Sequence, residues 1–224
     1  MTVRVIAIDG PAGSGKTTTA KAVARQLGLA HLDSGALYRS ATLAALDAGT
    51  ELSGQKIVGL CRSLPVGLRL SEKGYRPEVA GVDVSREIRS DRVTARVSEV
   101  SALSELRQWV NQALREAAAL HPKGVVVDGR DIGTVVFPDA PVKVYLTADG
   151  DERARRRLRQ LGRSTDSESV QRTNADIAER DRKDSTRAVA PLTKAGDAVL
   201  LDTTHLSFKE QVALVVEMGR KAFQ

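Results

Sequence analysis

A glycine-rich segment near the start of the chain limits the possible folds more than any other feature. Residues 10–17 read Gly-Pro-Ala-Gly-Ser-Gly-Lys-Thr, which is the G-x4-G-K-[ST] spacing of a phosphate-binding loop. Residues 3–8 before it are mostly β-branched or apolar, as in a buried parallel strand. Residues 17–27 after it carry apolar side chains at helical spacing, and Gly28 can end that helix. This order of strand, loop and helix predicts a nucleoside-triphosphate site in an α/β protein.

The loop motif gives each of its parts a separate task. Its glycines let successive backbone N–H groups point into one concavity, and the helix that follows adds partial positive charge there. Lys16 is expected to reach the β- and γ-phosphates and to act in catalysis, and the Thr17 hydroxyl is expected to ligate Mg²⁺. Asp128 ends another apolar segment, and it could hold water bound to the same ion. The predicted ATP-binding residues are Gly10, Pro11, Ala12, Gly13, Ser14, Gly15, Lys16, Thr17 and Thr18.

Composition restricts the kind of protein more loosely. The 224 residues fit one α/β domain with a modest elaboration, and the net charge of +6 favours anionic partners without separating nucleic acid from nucleotides. Cys61 is the only cysteine, which excludes a disulfide within the chain and argues against a cysteine-based metal site. The sequence has no apolar run near 18 residues and no signal-like start. We therefore expect a cytoplasmic protein that does not enter membranes.

Beyond the loop, short apolar segments alternate with helical ones, and they predict a doubly wound, five-stranded parallel sheet of the P-loop NTPase type. The pattern changes near residue 65, where two extended segments predict a small antiparallel sheet of two or three strands. Pro77 is expected at an edge of this small sheet because it cannot donate a ladder hydrogen bond. Helical segments follow from Asp91, and together with the small sheet they are interpreted as an inserted subdomain.

An arginine-rich segment follows the fourth core strand. Residues 151–161 contain five arginines, and residues 165–168 have the Thr-x-x-Glu spacing of a capping box that would begin a second polar helix. Two polar helices joined by a short loop are poor core material, but they suit a lid that closes over phosphates and excludes water. Arg156 and Arg157 are the candidates for contact with the transferring phosphoryl group.

Polar residues at two predicted strand ends each leave two interpretations open. Ser34 is predicted to cap the helix after the second strand, and Arg39 in that helix is either solvated or a phosphate clamp. Arg130 and Asp131 follow the strand that ends at Asp128. They either bind a ligand, with Arg on phosphate and Asp on an N–H donor, or form a salt bridge that shapes the loop.

Together with the loop motif, three further stretches resemble the bacterial cytidylate kinases. They are residues 33–39 (Asp-Ser-Gly-Ala-Leu-Tyr-Arg), 128–138 (Asp-Gly-Arg-Asp-Ile-Gly-Thr-Val-Val-Phe-Pro) and 187–192 (Arg-Ala-Val-Ala-Pro-Leu). The resemblance spans essentially the whole chain, and it implies a parallel core sheet with a nucleoside-monophosphate-binding insert and a lid. The implied core comprises residues 1–60, 120–148 and 190–224, the insert residues 61–119 and the lid residues 149–189.

The resemblance also implies an activity and residue roles. It implies ATP-dependent phosphorylation of CMP and dCMP, with Mg²⁺, in pyrimidine metabolism. The implied CMP-binding residues, which would hold the phosphate, the base and the sugar, are Ser34, Tyr38, Arg39, Ser98, Arg107, Arg130, Asp131, Arg180, Asp184 and Arg187. The expected catalytic residues are Lys16 of the loop motif, Arg156 and Arg157 of the arginine-rich segment, and Arg187, which the resemblance adds.

Other protein classes fit the sequence less well. A GTPase switch would need an N-K-x-D motif, which this sequence lacks. A nucleic-acid-binding ATPase would normally interleave aromatic residues for base stacking, and only 3% of these residues are aromatic. A kinase for UMP or for a small metabolite such as shikimate remains an alternative. A phosphate monoester dianion needs no general base, so His31, His121 and His205 are interpreted as structural or surface residues. We expect a monomer that binds ATP and CMP or dCMP, and no nucleic acid.

Overall fold

A computed structural model describes residues 4–71 and 74–224, so residue 3 of the predicted first strand lies outside the described residues. The strands are β1 (Val5–Asp9), β2 (Ala30–Asp33), β3 (Val66–Ser71), β4 (Gly74–Val79), β5 (Val82–Asp83), β6 (Val125–Gly129), β7 (Val142–Thr147) and β8 (Val199–Asp202). The helices are α1 (Lys16–Leu27), α2 (Ser34–Asp47), α3 (Gly54–Ser63), α4 (Asp91–Val100), α5 (Ser104–Ala119), α6 (Gly150–Gln160), α7 (Ser167–Thr186) and α8 (Phe208–Ala222).

The central sheet has five parallel strands in the order β2-β6-β1-β7-β8, which confirms the predicted fold class. Successive β1 side chains point to opposite faces because a strand has a period of two. Val5 and Ala7 pack with α2, α3 and α5, while Ile6 and Ile8 pack with α1 and α8. The sheet is therefore covered by helices on both sides, and its strand ends meet at one edge, where Asp33 of β2 is in register with Asp128 of β6.

The phosphate-binding loop connects β1 to α1 as predicted, and glycine is required at its first position. Gly10 has φ of 145°, and a Cβ atom there would lie 2.0 Å from the carbonyl oxygen of Leu146 in β7. Any side chain would therefore push the loop away from the sheet. Gly28 ends α1 with φ of 67°, and its N–H donates to the Ala24 carbonyl oxygen, which confirms the predicted helix end.

The small sheet is antiparallel with the order β3-β4-β5, so the prediction of up to three strands is confirmed. The expected edge position of Pro77 is wrong, because Pro77 lies in the central strand β4 opposite Leu68. Its carbonyl oxygen accepts from Val84 N at 3.0 Å, just beyond the two-residue strand β5. The proline nitrogen faces the same side as that carbonyl, so at Pro77 the pairing lacks one donor, and the β4–β5 ladder is correspondingly short.

The two arginine-rich helices α6 and α7 pack against each other through a small apolar cluster. Ala154 and Leu158 of α6 and Val170 and Ile177 of α7 are buried together with Ala12 of the phosphate-binding loop. The predicted capping box at residues 165–168 is wrong, since Asp166 caps α7 by accepting from Ser169 N at 2.8 Å. Asp and Thr are both good caps, and the chain enters this helix one residue later than the pattern indicated. No described helix combines the length and apolar character needed to span a membrane.

Candidate active site

A cavity of about 840 Å³ opens at the carboxyl ends of the parallel strands, between the phosphate-binding loop, the insert helices and the arginine-rich helix pair. Open α/β sheets bind ligands at this edge. The predicted site residues that line it are Ala12, Gly13, Gly15, Lys16, Thr17, Thr18, Ser34, Tyr38, Arg39, Arg107, Asp128, Arg130, Asp131, Arg156, Arg157, Arg180, Asp184 and Arg187.

Four predicted site residues are not among the described residues that line this cavity. Gly10, Pro11 and Ser14 lie behind its wall, where the Ser14 hydroxyl donates to the Pro11 carbonyl oxygen at 3.0 Å and shapes the loop. Ser98 is on α4 but away from the cavity, whereas Ser101, one helical turn later, lines it. The Ser98 carbonyl oxygen accepts from the Ser101 hydroxyl at 3.2 Å. A motif match at Ser98 could not show which of the two serines faces inward.

Lys16 is the buried cation of the phosphate-binding loop. Its Nζ donates to the Pro11 carbonyl oxygen at 2.6 Å, and the residue is only 6% exposed. Burial lowers its pKa well below the usual value, and the positive charge of Arg130 lowers it further. A phosphate group in the loop would therefore offer Lys16 a counter-charge that the protein supplies only in part.

Thr17 and Asp128 form the predicted metal-binding pair. The Thr17 hydroxyl donates to Asp128 Oδ2 at 2.6 Å, at the junction of α1 and β6. Burial raises the pKa of Asp128, but the hydrogen bond and charge of His31 and the Thr17 bond outweigh it and hold that pKa below its usual value. A hydroxyl and a carboxylate oxygen suit Mg²⁺, which prefers oxygen ligands and usually keeps several waters. Within the described ranges no cluster of three or more His, Cys, Asp or Glu side chains forms an alternative metal site.

His31 has a role in this pair that the sequence analysis missed. Its Nε2 lies 2.7 Å from Asp128 Oδ1, so the imidazole holds the oxygen that Thr17 does not contact. Asp33, two residues later on β2, has a raised pKa because of burial and the nearby charge of Asp128. Residues two apart on a strand face the same side, so the His-x-Asp spacing at a strand end was the available signal.

Asp33, and not Ser34, caps α2. Asp33 Oδ1 accepts from Ala36 N at 3.0 Å, so the predicted cap at Ser34 is wrong by one residue. Ser34 is instead the first helical residue, and its hydroxyl donates to the backbone carbonyl oxygen of Asp128 at 2.7 Å. It still faces the cavity, and it ties the start of α2 to the end of β6.

Arg107, Asp131 and Arg187 form a buried ionic group at the insert end of the cavity. Arg107 Nη2 donates to Asp131 Oδ2, and its Nη1 donates to the Ser101 carbonyl oxygen at 2.8 Å. Arg187 Nη2 lies 3.7 Å from the other Asp131 oxygen. The Arg107 guanidinium stacks 5.4 Å from the centre of the Tyr38 ring. Burial raises the pKa of Tyr38, and its buried hydroxyl has no hydrogen-bond partner among the described residues.

Arg130 and Asp131 do not pair with each other, although they are adjacent in sequence. Arg130 Nε donates to Asp184 Oδ2 of α7 at 2.9 Å, while Asp131 pairs with Arg107 and Arg187. The interpretation of Arg130 and Asp131 as a salt bridge with each other is therefore wrong, because each has a distant partner, while both side chains line the cavity.

Arg39 and Arg180 contribute positive charge between the two ends of the cavity. Arg39 Nη1 donates to the Ile88 carbonyl oxygen at 3.0 Å and to the Thr94 hydroxyl at 2.9 Å, so it holds the insert while facing the cavity. Burial and the charge of Arg180 lower the pKa of Arg39 to about 9. Burial and the charge of Arg130 lower the pKa of Arg180 to about 10. Arginines that repel each other in a cavity favour an anionic ligand.

The two lid arginines chosen from the sequence occupy different positions. Arg156 donates to the hydroxyl and carbonyl oxygens of Thr203 at 2.9 and 2.7 Å, near the phosphate-binding loop. Arg157 faces the middle of the cavity, and burial together with the charge of Arg89 lowers its pKa. Arg89, in a short 3₁₀ turn of the insert, also lines the cavity and was missed because one arginine in a polar stretch carries no signal.

Asp9 is a second residue that the sequence analysis missed. It is the last residue of β1, and its two carboxylate oxygens accept from Ile132 N at 2.8 Å and Gly133 N at 2.7 Å. It therefore fixes the loop that carries Arg130 and Asp131. Burial raises the pKa of Asp9 to about 6, although the two backbone hydrogen bonds lower it. A carboxylate at the end of the strand before the loop motif was the available signal.

A phosphate-binding loop, a buried cation and a cavity of about 840 Å³ that is partly lined by an arginine-rich helix pair define a P-loop kinase. The fold is shared with a solved structure of an uncharacterized protein from Eubacterium ventriosum, at a TM-score of 0.52 and 11% identity over 97% of this chain and 98% of that one. That likeness concerns the fold alone.

Comparison of sequences gives the family. The cytidylate kinase family model matches residues 6–221. A cytidylate kinase of Lactococcus lactis subsp. cremoris is 46% identical over 219 residues, which cover 96% of this chain and 97% of that protein. A cytidylate kinase of Mycolicibacterium paratuberculosis is 46% identical over 207 residues, which cover 91% and 89%. The chain belongs to the cytidylate kinase family, which confirms the resemblance.

Proposed function

We propose that this protein transfers the γ-phosphoryl group of ATP to CMP and dCMP, giving CDP and dCDP. The observation that carries the proposal is the buried Arg107–Asp131 pair beside the Tyr38 hydroxyl, in the same cavity as the phosphate-binding loop. A carboxylate accepts from the exocyclic amino group of cytosine, and a guanidinium donates to the ring nitrogen and carbonyl oxygen beside it. Uracil has a carbonyl oxygen in place of the amino group, so Asp131 favours cytosine.

The substrates would lie with their phosphates facing each other across the middle of the cavity. The loop residues 10–18 and Lys16 would hold the ATP phosphates, while Arg39, Arg130 and Arg180 would hold the CMP phosphate. A phosphate oxygen of CMP then attacks the γ-phosphorus in line, and ADP leaves. The attacking oxygen is already ionised, so no side chain needs to take a proton. The protein acts by positioning the two phosphates and by neutralising their charge.

The lid-side residues would complete the site. Arg157 would approach the transferring group, Arg156 would act nearer the ATP phosphates, and Arg187 would face the base and sugar through its contact with Asp131. Asp184 would bind the sugar while it holds Arg130. We also propose three functional divisions of the chain. The core comprises residues 1–60, 120–148 and 190–224, the insert comprises residues 61–119, and the lid comprises residues 149–189.

Mg²⁺ is proposed as the metal cofactor. Thr17 and Asp128 would hold it, the carboxylate through a bound water, and when bound it neutralises charge on the ATP phosphates. Ser34 and His31 keep Asp128 in place through its backbone and side-chain oxygens. We further propose that the protein is cytoplasmic and acts as a monomer. We also propose that it does not bind nucleic acid, since many of its arginines line one cavity.

The test is a panel of acceptors with ATP and Mg²⁺, with ADP release followed by a coupled assay. CMP, dCMP, UMP, AMP and shikimate should be compared at equal concentrations. CMP and dCMP are expected to support turnover at least tenfold above the other three. Preference for UMP or shikimate would contradict the proposal, and so would ATP hydrolysis that no acceptor stimulates. Electrophoretic mobility with a labelled oligonucleotide and sedimentation velocity test the expected absence of nucleic-acid binding and the monomeric state.

A further inference from the structure

The peptide groups of Ala12, in the phosphate-binding loop, are held from two sides by the lid helices. Ala12 N donates to Asp181 Oδ1 of α7 at 2.8 Å. The Ala12 carbonyl oxygen accepts from Arg153 Nη1 of α6 at 3.0 Å. Arg153 also donates to the other Asp181 oxygen, which closes the ring of contacts. One residue of the loop is thus bound to both lid helices at once.

Packing joins the same parts of the molecule. The Ala12 methyl group is buried with Ala154, Leu158, Val170 and Ile177, the small apolar cluster of the lid. A Cβ atom at Gly13 would lie 2.9 Å from the Arg153 carbonyl oxygen, so the backbone of α6 approaches the loop too closely for any side chain there. The loop and the lid helices therefore pack closely against each other at Ala12 and Gly13, through both apolar and polar contacts.

The position of these contacts indicates what they do. Arg153 is in the first turn of α6 and Asp181 is near the end of α7, so both lie at the base of the helix pair, where the chain enters and leaves it. The Ala12 N–H is used by Asp181, and the N–H groups that follow it in the loop are those that would meet phosphate. A carboxylate beside a phosphate site would weaken anion binding by repulsion, but the Arg153 guanidinium offsets its charge.

We propose that Asp181 and Arg153 are positioning residues for the phosphate-binding loop. They fix the orientation of the Ala12 peptide, and through it the N–H groups of residues 13–17, and they anchor the lid to the loop at its base. Loss of the Asp181 contact would let the loop sample orientations that do not bind phosphate, so ATP affinity falls while the CMP end of the cavity is unchanged. This inference rests on the proposed ATP site at residues 10–18.

The experiment compares Asp181→Ala and Asp181→Asn with the matched control Glu179→Ala. Glu179 is another carboxylate of α7, but it is exposed, and its ion-pair partners among the described residues are Arg182 and Lys183 of its own helix. The measurements are ATP affinity by calorimetry without CMP, KM for ATP and for CMP, and hydrogen–deuterium exchange of peptides covering residues 9–16. Thermal unfolding reports whether each variant folds.

Asp181→Ala should weaken ATP binding about tenfold, because a charge-assisted hydrogen bond to the loop is lost, and should change KM for CMP by less than about twofold. Exchange in residues 9–16 should become faster. Asp181→Asn keeps an acceptor for Ala12 N but loses the ion pair with Arg153, so its effects should be intermediate. Glu179→Ala should match the wild type in all three measurements.

Several outcomes would overturn this inference. Wild-type ATP affinity and wild-type exchange in Asp181→Ala would do so, as would equal losses for ATP and CMP, which a general weakening of the fold would cause. If Asp181→Ala does not fold, the inference would be overturned by wild-type ATP affinity together with wild-type loop exchange in Asp181→Asn. Failure of the proposed function would be seen separately, because the wild-type protein would then bind ATP without phosphorylating CMP. In that case the comparison of loop exchange and ATP affinity between the variants would still decide the role of Asp181.

Discussion

The Arg107–Asp131 ion pair allows a quantitative test of how substrate recognition and stability are linked. The two side chains are 2% and 6% exposed, so removal of either charge leaves the other largely buried at the wall of the cavity. We consider Asp131→Leu, which replaces the carboxylate with a larger apolar group of the same branched shape, and Arg107→Met, which removes the guanidinium. Each should impair the use of CMP, because each removes a group proposed to contact the base.

The two changes should differ in their cost to stability because Asp131 has a second partner. Asp131→Leu leaves the buried guanidinium of Arg107 with only the Ser101 carbonyl oxygen, and it also leaves Arg187 without its carboxylate. Breaking a buried pair in this way costs about 3–5 kcal/mol. For a chain of this length the melting temperature should fall by about 6–20 °C. Arg107→Met leaves Asp131 with Arg187 at 3.7 Å, so we expect a smaller cost of about 1.5–3 kcal/mol.

The double variant separates the two effects. With both charges removed the site is apolar, so the double variant should be more stable than the sum of the single costs indicates, by about 2 kcal/mol. Urea denaturation of the wild type, both single variants and the double variant measures this coupling, and the acceptor assay measures CMP use in each. The double variant should recover stability without recovering CMP turnover. Costs that add within about 0.5 kcal/mol would refute the reasoning, as would a larger cost for Arg107→Met than for Asp131→Leu.

Four further predictions concern single groups of the cavity. Lys16→Ala should lower kcat by about 10²–10³ with unchanged circular dichroism, because it removes a cation from the transferring phosphates, and near-normal turnover would exclude Lys16 from the mechanism. Arg130→Ala should raise KM for CMP about tenfold and KM for ATP far less in coupled-assay kinetics; equal increases would argue against a contact with CMP. Asp184→Ala should affect CMP and dCMP unequally, since they differ only at the sugar, and identical losses would contradict its sugar-binding role. The pKa of Asp9 is about 6 in the folded protein and 3.8 in the unfolded chain. The contribution of protonated Asp9 to stability is therefore fully present below pH 3.8 and is lost as the pH rises through 6. The unfolding free energy of the wild type relative to Asp9→Asn should thus fall by about 2.4 kcal/mol between pH 4 and 7, and parallel pH curves from urea denaturation would refute this prediction.

Features that depend on neighbouring residues in the sequence could be predicted well. The β1 strand, the glycine loop and α1 follow from local periodicity and from glycines that only certain backbone conformations require. The small sheet was predicted for the same reason, but Pro77 was misplaced. A proline lacks a hydrogen-bond donor on only one side of its strand. The sequence does not show that β5 pairs with only two residues of β4 on that side.

Features that depend on distant partners could not be predicted. Arg107 and Asp131 are 24 residues apart, and Arg130 and Asp184 are 54 apart, so only the packing of the insert and lid onto the core brings these charges together. The adjacent Arg130 and Asp131 could be recognised as charged, but not that each pairs elsewhere. The caps of α2 and α7 were misplaced by one residue, because neighbouring Asp, Ser and Thr side chains are nearly equal caps and the direction of the entering chain decides between them.

The lowered pKa values of the cavity arginines bear on the proposed binding of phosphates in this site. An arginine with a lowered pKa is less stable as a cation in the cavity than in water. The pKa of Arg39 is lowered to about 9 and that of Arg180 to about 10, mainly by burial and then by neighbouring arginines. The free protein therefore holds these cations at a cost in stability. A phosphate placed among these arginines would remove that cost and would also accept bidentate hydrogen bonds, and both effects would favour its binding. Asp131 and Asp184 pair with arginines at the two sides of the same cluster, which limits the repulsion and leaves the central positive charge for the phosphates.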